Sequence, residues 1–244
     1  MNNLLKINLL QSFKELVRQL LFSLNLYKLL KLKRGGYNMK HLNNIKRKDI
    51  FKKIYDLGIW VDNTNQSSRS GSGSELEITE DIINEIRMLV NNNSWKTFLD
   101  IGCGDFNWFS KVDLDSDYLG IDIVPSLIKQ NIEKYQTKKI NFMVMDAVDE
   151  DIPKAHVVLC REVIFHLNFE DGKKLIKNIK KHSKWLIITS DKSIIFNSNI
   201  PTGDYRMLNL ECYPFNFPEP LKIIKDDKLI KGRILGLWKT KDLK

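Results

Sequence analysis

Phe98-Leu99-Asp100-Ile101-Gly102-Cys103-Gly104-Asp105 reads as a short apolar strand that runs straight into a glycine turn. Glycines at such a turn let the backbone approach a ligand where a β-carbon would collide, and in open α/β sheets ligands bind at the carboxyl edge of the strands. Twenty-two residues after Asp100, Leu119-Gly120-Ile121-Asp122 ends a second strand in a carboxylate. Phe142-Met143-Val144-Met145-Asp146 ends a third the same way. Three strands with an acid at one sheet edge make a pattern more specific than the glycine turn alone, because an acid after the second strand is placed to accept hydrogen bonds from ribose hydroxyls.

Working outward, strand and helix signals alternate. Strands are expected at Thr97–Ile101, Tyr118–Ile121, Ile140–Met145, His156–Cys160 and Trp185–Thr189, with helices at Thr79–Asn91 (Thr79 as N-cap), Pro125–Tyr135 and Phe169–Lys181. Leu221–Ile224 and Ile234–Trp238 are candidate closing strands. The alternation predicts an α/β fold, a Rossmann-like, doubly wound and mostly parallel seven-stranded sheet with an N-terminal helical extension. Residues 75–244 form this domain, with a substrate loop at about 191–220. Residues 39–74 form a helical lead-in over Lys40–Trp60 and a Ser/Gly-rich loop.

The 244 residues carry a net charge of +9, which suggests nucleic acid until it is divided along the chain. Residues 1–60 hold 13 of the 39 basic residues and three of the 30 acidic ones, leaving 26 basic against 27 acidic beyond. A nucleic-acid-binding domain carries its basic excess where it meets the phosphates, so no nucleic-acid partner is expected for this neutral domain. Cys103, Cys160 and Cys212 are too scattered for a disulfide framework or a metal site, which favours a reducing, cytoplasmic setting, and no metal is expected.

From Leu9 to Leu30, apolar residues recur at three- and four-residue steps with Lys14, Arg18 and Lys28 between them, an amphipathic basic helix whose longest charge-free apolar stretch, Phe22 to Tyr27, is too short to span a bilayer. Three readings stand. The helix packs on the domain or a partner; it lies on an anionic membrane through residues 1–33, making the protein peripheral; or residues 1–38 are not part of the native protein. The third has one supporting detail. Arg34-Gly35-Gly36-Tyr37-Asn38 precedes Met39, and Arg-Gly-Gly can be encoded by a purine-rich stretch that recruits bacterial ribosomes, so translation would begin at Met39.

On these motifs the chain resembles the class I S-adenosylmethionine-dependent methyltransferases over about residues 95–190. The resemblance implies that Gly102 and Gly104 contact the methionine part of the cofactor, with Asp100 leading the motif. Asp122, with Ile123, would hold the ribose, and Asp146, with Ala147, would lie near the adenine. The segment Val157–Leu167 would face the methyl group, with Arg161 in the cofactor site. Two positions depart from the pattern: Phe106 replaces the third glycine of the turn, so the loop opens differently or lays an aromatic ring near the cofactor, and His156 replaces the acid that often begins the fourth strand. The Ser68–Ser74 loop, Asp105-Phe106-Asn107-Trp108, Thr202–Leu210 and Pro214–Pro218 resemble a bacterial subgroup met beside surface-polysaccharide genes. That implies a small polar acceptor, a sugar, phosphorylated sugar, phosphate or phosphoramidate.

The catalytic candidates are His166, Asp204 and Glu162. A neutral imidazole just past the fourth strand can take a hydroxyl proton, although His166 could equally be a satisfied histidine at a helix start. Arg161 and Glu162 could simply pair. Arg69, in a loop of backbone N–H donors, suits a carboxylate or phosphate. Arg206, Tyr205 and Trp108 are the substrate-binding candidates, with Arg161 and Arg206 positioning an acceptor that is already anionic. Cys103 is read as a packed residue. Two alternatives compete: a non-catalytic cofactor-binding subunit of a glycan-synthesis or membrane complex, and a nicotinamide-dependent oxidoreductase, disfavoured because Asn107 breaks the GxGxxG spacing.

Overall fold

The computed structural model describes residues 7–26, 33–34, 37–38, 45–61 and 66–243. The chain opens with helix α1 (Leu9–Ser23), a small antiparallel ribbon of β1 (Lys33–Arg34) and β2 (Tyr37–Asn38), helix α2 (Arg47–Asp56) and helix α3 (Leu76–Asn92). Then come β3 (Thr97–Ile101), β4 (Asp117–Asp122), α4 (Pro125–Tyr135), β5 (Ile140–Val144), β6 (Ala155–Cys160), α5 (Phe169–His182), β7 (Ser183–Asp191), β8 (Lys222–Lys225) and β9 (Arg233–Lys239).

Seven strands form one sheet in the order β5-β4-β3-β6-β7-β9-β8. The first five are parallel, and β9 enters antiparallel between β7 and β8. This is the mostly parallel Rossmann-like sheet expected, closed by one antiparallel hairpin. The strand order reverses at β3, which lies between β4 and β6, and a crevice opens there at the carboxyl edge.

Both sheet faces are covered, so the inner strands are apolar on both sides. Along β6, Val157 and Leu159 point into one core with Ile82 and Ile86 of α3, while Val158 and Cys160 point into the other with Leu175 and Ile179 of α5. That alternation is the two-residue period of a strand.

Three helix boundaries differ from expectation. α1 stops at Ser23 because Asn25 turns left-handed (φ 57°), and Leu26 N–H and Asn25 N–H donate back to the Leu21 and Phe22 carbonyls at 2.8 and 3.0 Å, a Schellman stop. The expected continuation to Leu30 falls outside the described residues from position 27. α2 covers only Arg47–Asp56 of the predicted Lys40–Trp60 helix; Gly58 (φ 60°) follows its end, and residues 40–44 are outside the described ones. Thr79 is no N-cap. It lies one turn inside α3, and its hydroxyl donates to the Glu75 carbonyl.

Leu159 is fully buried at the centre of the sheet. Leu159→Ala is expected to cost about 2–5 kcal/mol, from lost transfer energy plus the cavity left behind. Urea unfolding of the two proteins measures it.

Candidate active site

The turn after β3 is where the sheet edge becomes a binding surface. Gly102 adopts φ +71°, and a β-carbon there would come within 2.3 Å of Val163 Cγ2, so the position is closed to other residues on both conformational and steric grounds. Gly104 (φ +59°) donates its N–H to Asp122 Oδ2 at 3.3 Å, while Val124 N–H reaches Asp122 Oδ1 at 3.0 Å. Asp122 is the last residue of β4, so the first turn and the second strand's acid are joined directly. Phe106 also adopts a left-handed conformation (φ 57°), the region glycine favours. Its ring turns away from the crevice and packs among Phe109, Tyr118, Tyr135 and Phe142. Of the two expectations for Phe106, an aromatic ring beside the cofactor is therefore corrected: the ring serves the core on the opposite face.

The Ser/Gly-rich loop folds over this turn through Asp105, which accepts from Ser68 Oγ (2.9 Å) and Arg69 N–H (2.7 Å), while its own N–H donates to Ser70 Oγ at 2.9 Å. Ser70 to Ser74 line a cavity of about 480 Å³ together with Asp100, Gly102, Gly104, Asp122, Ile123, Asp146, Ala147 and Arg161. Arg69 does not line it. Its guanidinium lies 4.8 Å over the Tyr55 ring and Nη2 donates to the Tyr55 carbonyl, so it braces the wall from outside.

Asp146 lies two residues past the end of β5, and α2 reaches it. Arg47 donates through Nε to both Asp146 oxygens at 3.1 and 3.0 Å and pairs with Asp171 at 2.8 Å. The α2 residues Phe51 and Tyr55, with Ile59 and Trp60 just beyond, roof this end of the cavity.

The same cavity continues to a second wall. At the end of β6, Glu162 is held left-handed (φ 57°), the kind of strained backbone that clusters at functional sites. Its carboxylate accepts from Arg233 Nη1 at 2.9 Å; Arg233 Nε reaches Asp191 at 3.0 Å and Nη2 reaches the Tyr205 hydroxyl at 2.8 Å. Arg161 gives Nε and Nη2 to Asp226, both at 2.9 Å, and lies 5.2 Å over the Trp108 ring, with Glu162 at 4.0 Å. His166 lines the cavity with its ring centroid 5.1 Å from that of Trp60. Its Nδ1 lies 2.8 Å from the Asp204 carbonyl. A carbonyl only accepts, so Nδ1 carries the proton, and in the neutral ring Nε2 is the acceptor.

Besides Arg69, three candidates stand otherwise than expected. Asp204 acts on His166 through its backbone carbonyl, and its side chain does not line the cavity. Arg206 is 0% exposed, also off the cavity, donating to the Leu167 carbonyl at 2.6 Å and stacked 5.0 Å from the Phe169 ring. Arg161 does line the cavity, but its fork is turned to Asp226 and not to an acceptor. Tyr205, Trp108, Glu162 and His166 are brought together on one wall. Sequence reasoning missed Arg233, Asp191, Asp226, Tyr55, Trp60 and Arg47. One signal was present: an antiparallel strand begins at the edge where parallel strands end, and Arg233 at the start of β9 is in register with Asp191 at the end of β7.

Among the described residues, no group of three or more His, Cys, Asp or Glu could hold a metal ion. No helix there is long and apolar enough to cross a membrane.

Residues 98–185 match a family model described as a methyltransferase domain. None of the curated proteins matches the chain. Among solved structures, magnesium protoporphyrin IX methyltransferase from Synechocystis PCC 6803 with bound S-adenosylmethionine is similar at TM-score 0.54 and 14% identity, over 80% of this chain and 97% of that one. The N-methyltransferase NodS from Bradyrhizobium japonicum WM9, in complex with S-adenosylhomocysteine, is similar at TM-score 0.47 and 15% identity, over 57% and 74%. A bacterial Hen1 methyltransferase domain is similar at 0.42 and 16%, over 47% of this chain and 67% of that one. The first of these supports the fold.

Burial pushes Asp100 up to about 7, against a hydrogen bond from the Tyr118 hydroxyl that favours its charged form, and with Asp122 nearby adding to the rise. Burial likewise raises Asp122 to about 6, although the Val124, Gly104 and Ile123 N–H groups oppose it. An acid raised above its unfolded value of about 3.9 holds protons in the folded chain that the unfolded chain has released. Its contribution to stability is therefore complete at low pH and is lost as pH rises through 6 to 7. The ligand-free protein is expected to lose more stability between pH 5.5 and 7.5 than Asp100→Asn does, as read from urea midpoints at each pH.

Proposed function

We propose that the chain is a class I S-adenosylmethionine-dependent methyltransferase that methylates a hydroxyl of a small, neutral polar acceptor of the carbohydrate class, in keeping with the match of residues 98–185 to a methyltransferase domain. The observation that carries this reading is the continuity of one cavity from the acid-ended strand edge to the wall formed by Glu162, His166 and Tyr205.

The residues present fit the donor. Tyr55 Oη is buried on the cavity roof without a hydrogen-bond partner among the described residues, and Asp122 is a carboxylate held in surroundings that disfavour its charge. Both call for donors or acceptors from a polar ligand. Bound S-adenosylmethionine supplies an electrophilic methyl group on a sulfonium. Asp122 would accept from ribose hydroxyls, Gly102 and Gly104 would leave backbone room for the amino-acid portion, and Phe51 and Ile123 would offer apolar contact to the base. Arg47 holds Asp146 and so fixes the adenine end of the wall.

At the other end, the state of the arginines argues for a neutral acceptor. Arg161 and Arg233 are already matched to Asp226, Asp191 and Glu162, and Arg206 is buried elsewhere, so an anionic acceptor would find its counter-charges committed. A neutral hydroxyl needs a base, and His166 is placed for it. The Asp204 carbonyl holds the Nδ1 proton, so Nε2 takes the acceptor's proton, while Tyr205 and Glu162, set by Arg233, orient the remaining hydroxyls. The Trp60 ring, half-buried beside His166, suits the apolar side of a sugar ring. The narrow sequence resemblance to a surface-polysaccharide subgroup supports the same acceptor class.

Two outcomes follow. Asp122→Ala should weaken S-adenosylmethionine binding roughly 10- to 100-fold, the loss expected for hydrogen bonds to a charged group, with its circular dichroism spectrum unchanged. Calorimetric titration reads it, and unchanged affinity refutes the assignment. His166→Ala should lower kcat by about 10²–10⁴ with donor affinity retained, measured as release of S-adenosylhomocysteine over a panel of nucleotide sugars and glycan fragments.

A further inference from the structure

Helix α1 is mounted with its polar side inward. Asn8 N–H donates to the Ser193 carbonyl at 2.7 Å, Ile195 N–H to Ser12 Oγ at 3.2 Å, Asn199 N–H to Gln19 Oε1 at 2.7 Å and Arg18 Nη1 to the Tyr205 carbonyl at 3.3 Å. Glu15 is fully buried at the centre of this seam, accepting from Ser198 Oγ, Gln11 Nε2 and Arg18. Leu9, Leu10, Phe13, Leu16, Leu20 and Leu24 are between 47% and 69% exposed. At 100° per residue they fall within an arc of about 120°, opposite the seam. An amphipathic helix that only packed on its own domain would present this stripe to the core. Here the side chains of Ser12, Glu15, Arg18 and Gln19 hold the stripe outward.

The sequence on either side says what covers it. Residues 1–40 contain eight basic residues (Lys6, Lys14, Arg18, Lys28, Lys31, Lys33, Arg34 and Lys40) and one acid, Glu15, which the seam buries. Lys14 is exposed on α1 itself. An outward apolar stripe inside a segment of nearly unbroken positive charge complements a surface that is apolar below and anionic above. We infer that α1 docks the protein on an anionic lipid bilayer, with its leucine face in the interface. A second copy of the chain would bring the same positive charges together. The seam runs along residues 193–205, and Tyr205 at its end lines the cavity, so docking sets the acceptor wall beside the lipid surface. This inference rests on α1 and its seam and needs neither donor nor acceptor, so methyl transfer and docking fail independently.

The test is co-sedimentation of the full chain with vesicles of phosphatidylglycerol and phosphatidylcholine in equal parts, and with phosphatidylcholine alone, at near-physiological salt. The expected result is pelleting with the anionic vesicles, weak or none with the zwitterionic ones, and a loss of roughly tenfold or more in partitioning for Leu16→Glu/Leu20→Glu. Phe13→Ser is a milder change on the same face and is expected to lower partitioning too, so the outcome does not hang on the folding of the double variant. No pelleting with anionic vesicles, or pelleting that both variants leave unchanged, overturns the inference. So does a dimer in light scattering that these substitutions disperse while no vesicle binding is seen.

Discussion

Burial of negative charge at one edge of the sheet is the constraint on which the rest depends. Asp100 and Asp122 sit where the strand order reverses at β3, and both are held in surroundings that favour the protonated form. A fold that only needed stability would place apolar residues here, since isolated buried carboxylates cost more than they return. Instead the backbone is shaped to them: the Gly104 and Val124 N–H groups point at Asp122, and the Tyr118 hydroxyl is spent on Asp100. Such an edge is completed by a polar, partly cationic ligand, which is what S-adenosylmethionine is.

The same economy of charge organises the opposite wall. Arg161 and Arg233 are each paired with carboxylates behind the surface, so this part of the cavity presents oriented hydroxyl, imidazole and carboxylate groups and little unmatched charge. The strained backbone at Glu162 is paid for by Arg233, which also sets Tyr205 and thereby links β6, β7, β9 and the loop ending at Tyr205. One arginine thus relates the fold's antiparallel closure to the wall formed by Glu162 and Tyr205.

How much of this was legible in the sequence depended on range. The β3 turn and the acids ending β4 and following β5 were readable because their chemistry is local: a strand, a glycine and a carboxylate within a few residues. Phe106 was readable as a departure but not as a solution, because whether its ring meets the ligand or the core is decided by Phe142 and Tyr135, many residues away. Arg206 and Asp204 had the right residue types in the right loop and the wrong side of the wall, which only packing decides. Arg233 left only the faint signal of an arginine opening a candidate closing strand, because its partners lie 28 to 71 positions away. For α1, periodicity revealed two faces and could not say which one meets the protein.

The most direct test of the account is calorimetric titration of the full chain with S-adenosylmethionine and, separately, with NADH. Both are adenosine ligands suited to an acid-ended Rossmann-like edge, so the comparison isolates the reading of the turn and of the cavity beyond it. Micromolar binding of S-adenosylmethionine with no heat from NADH is the predicted result. Binding of NADH in its place, or binding of neither, would contradict it.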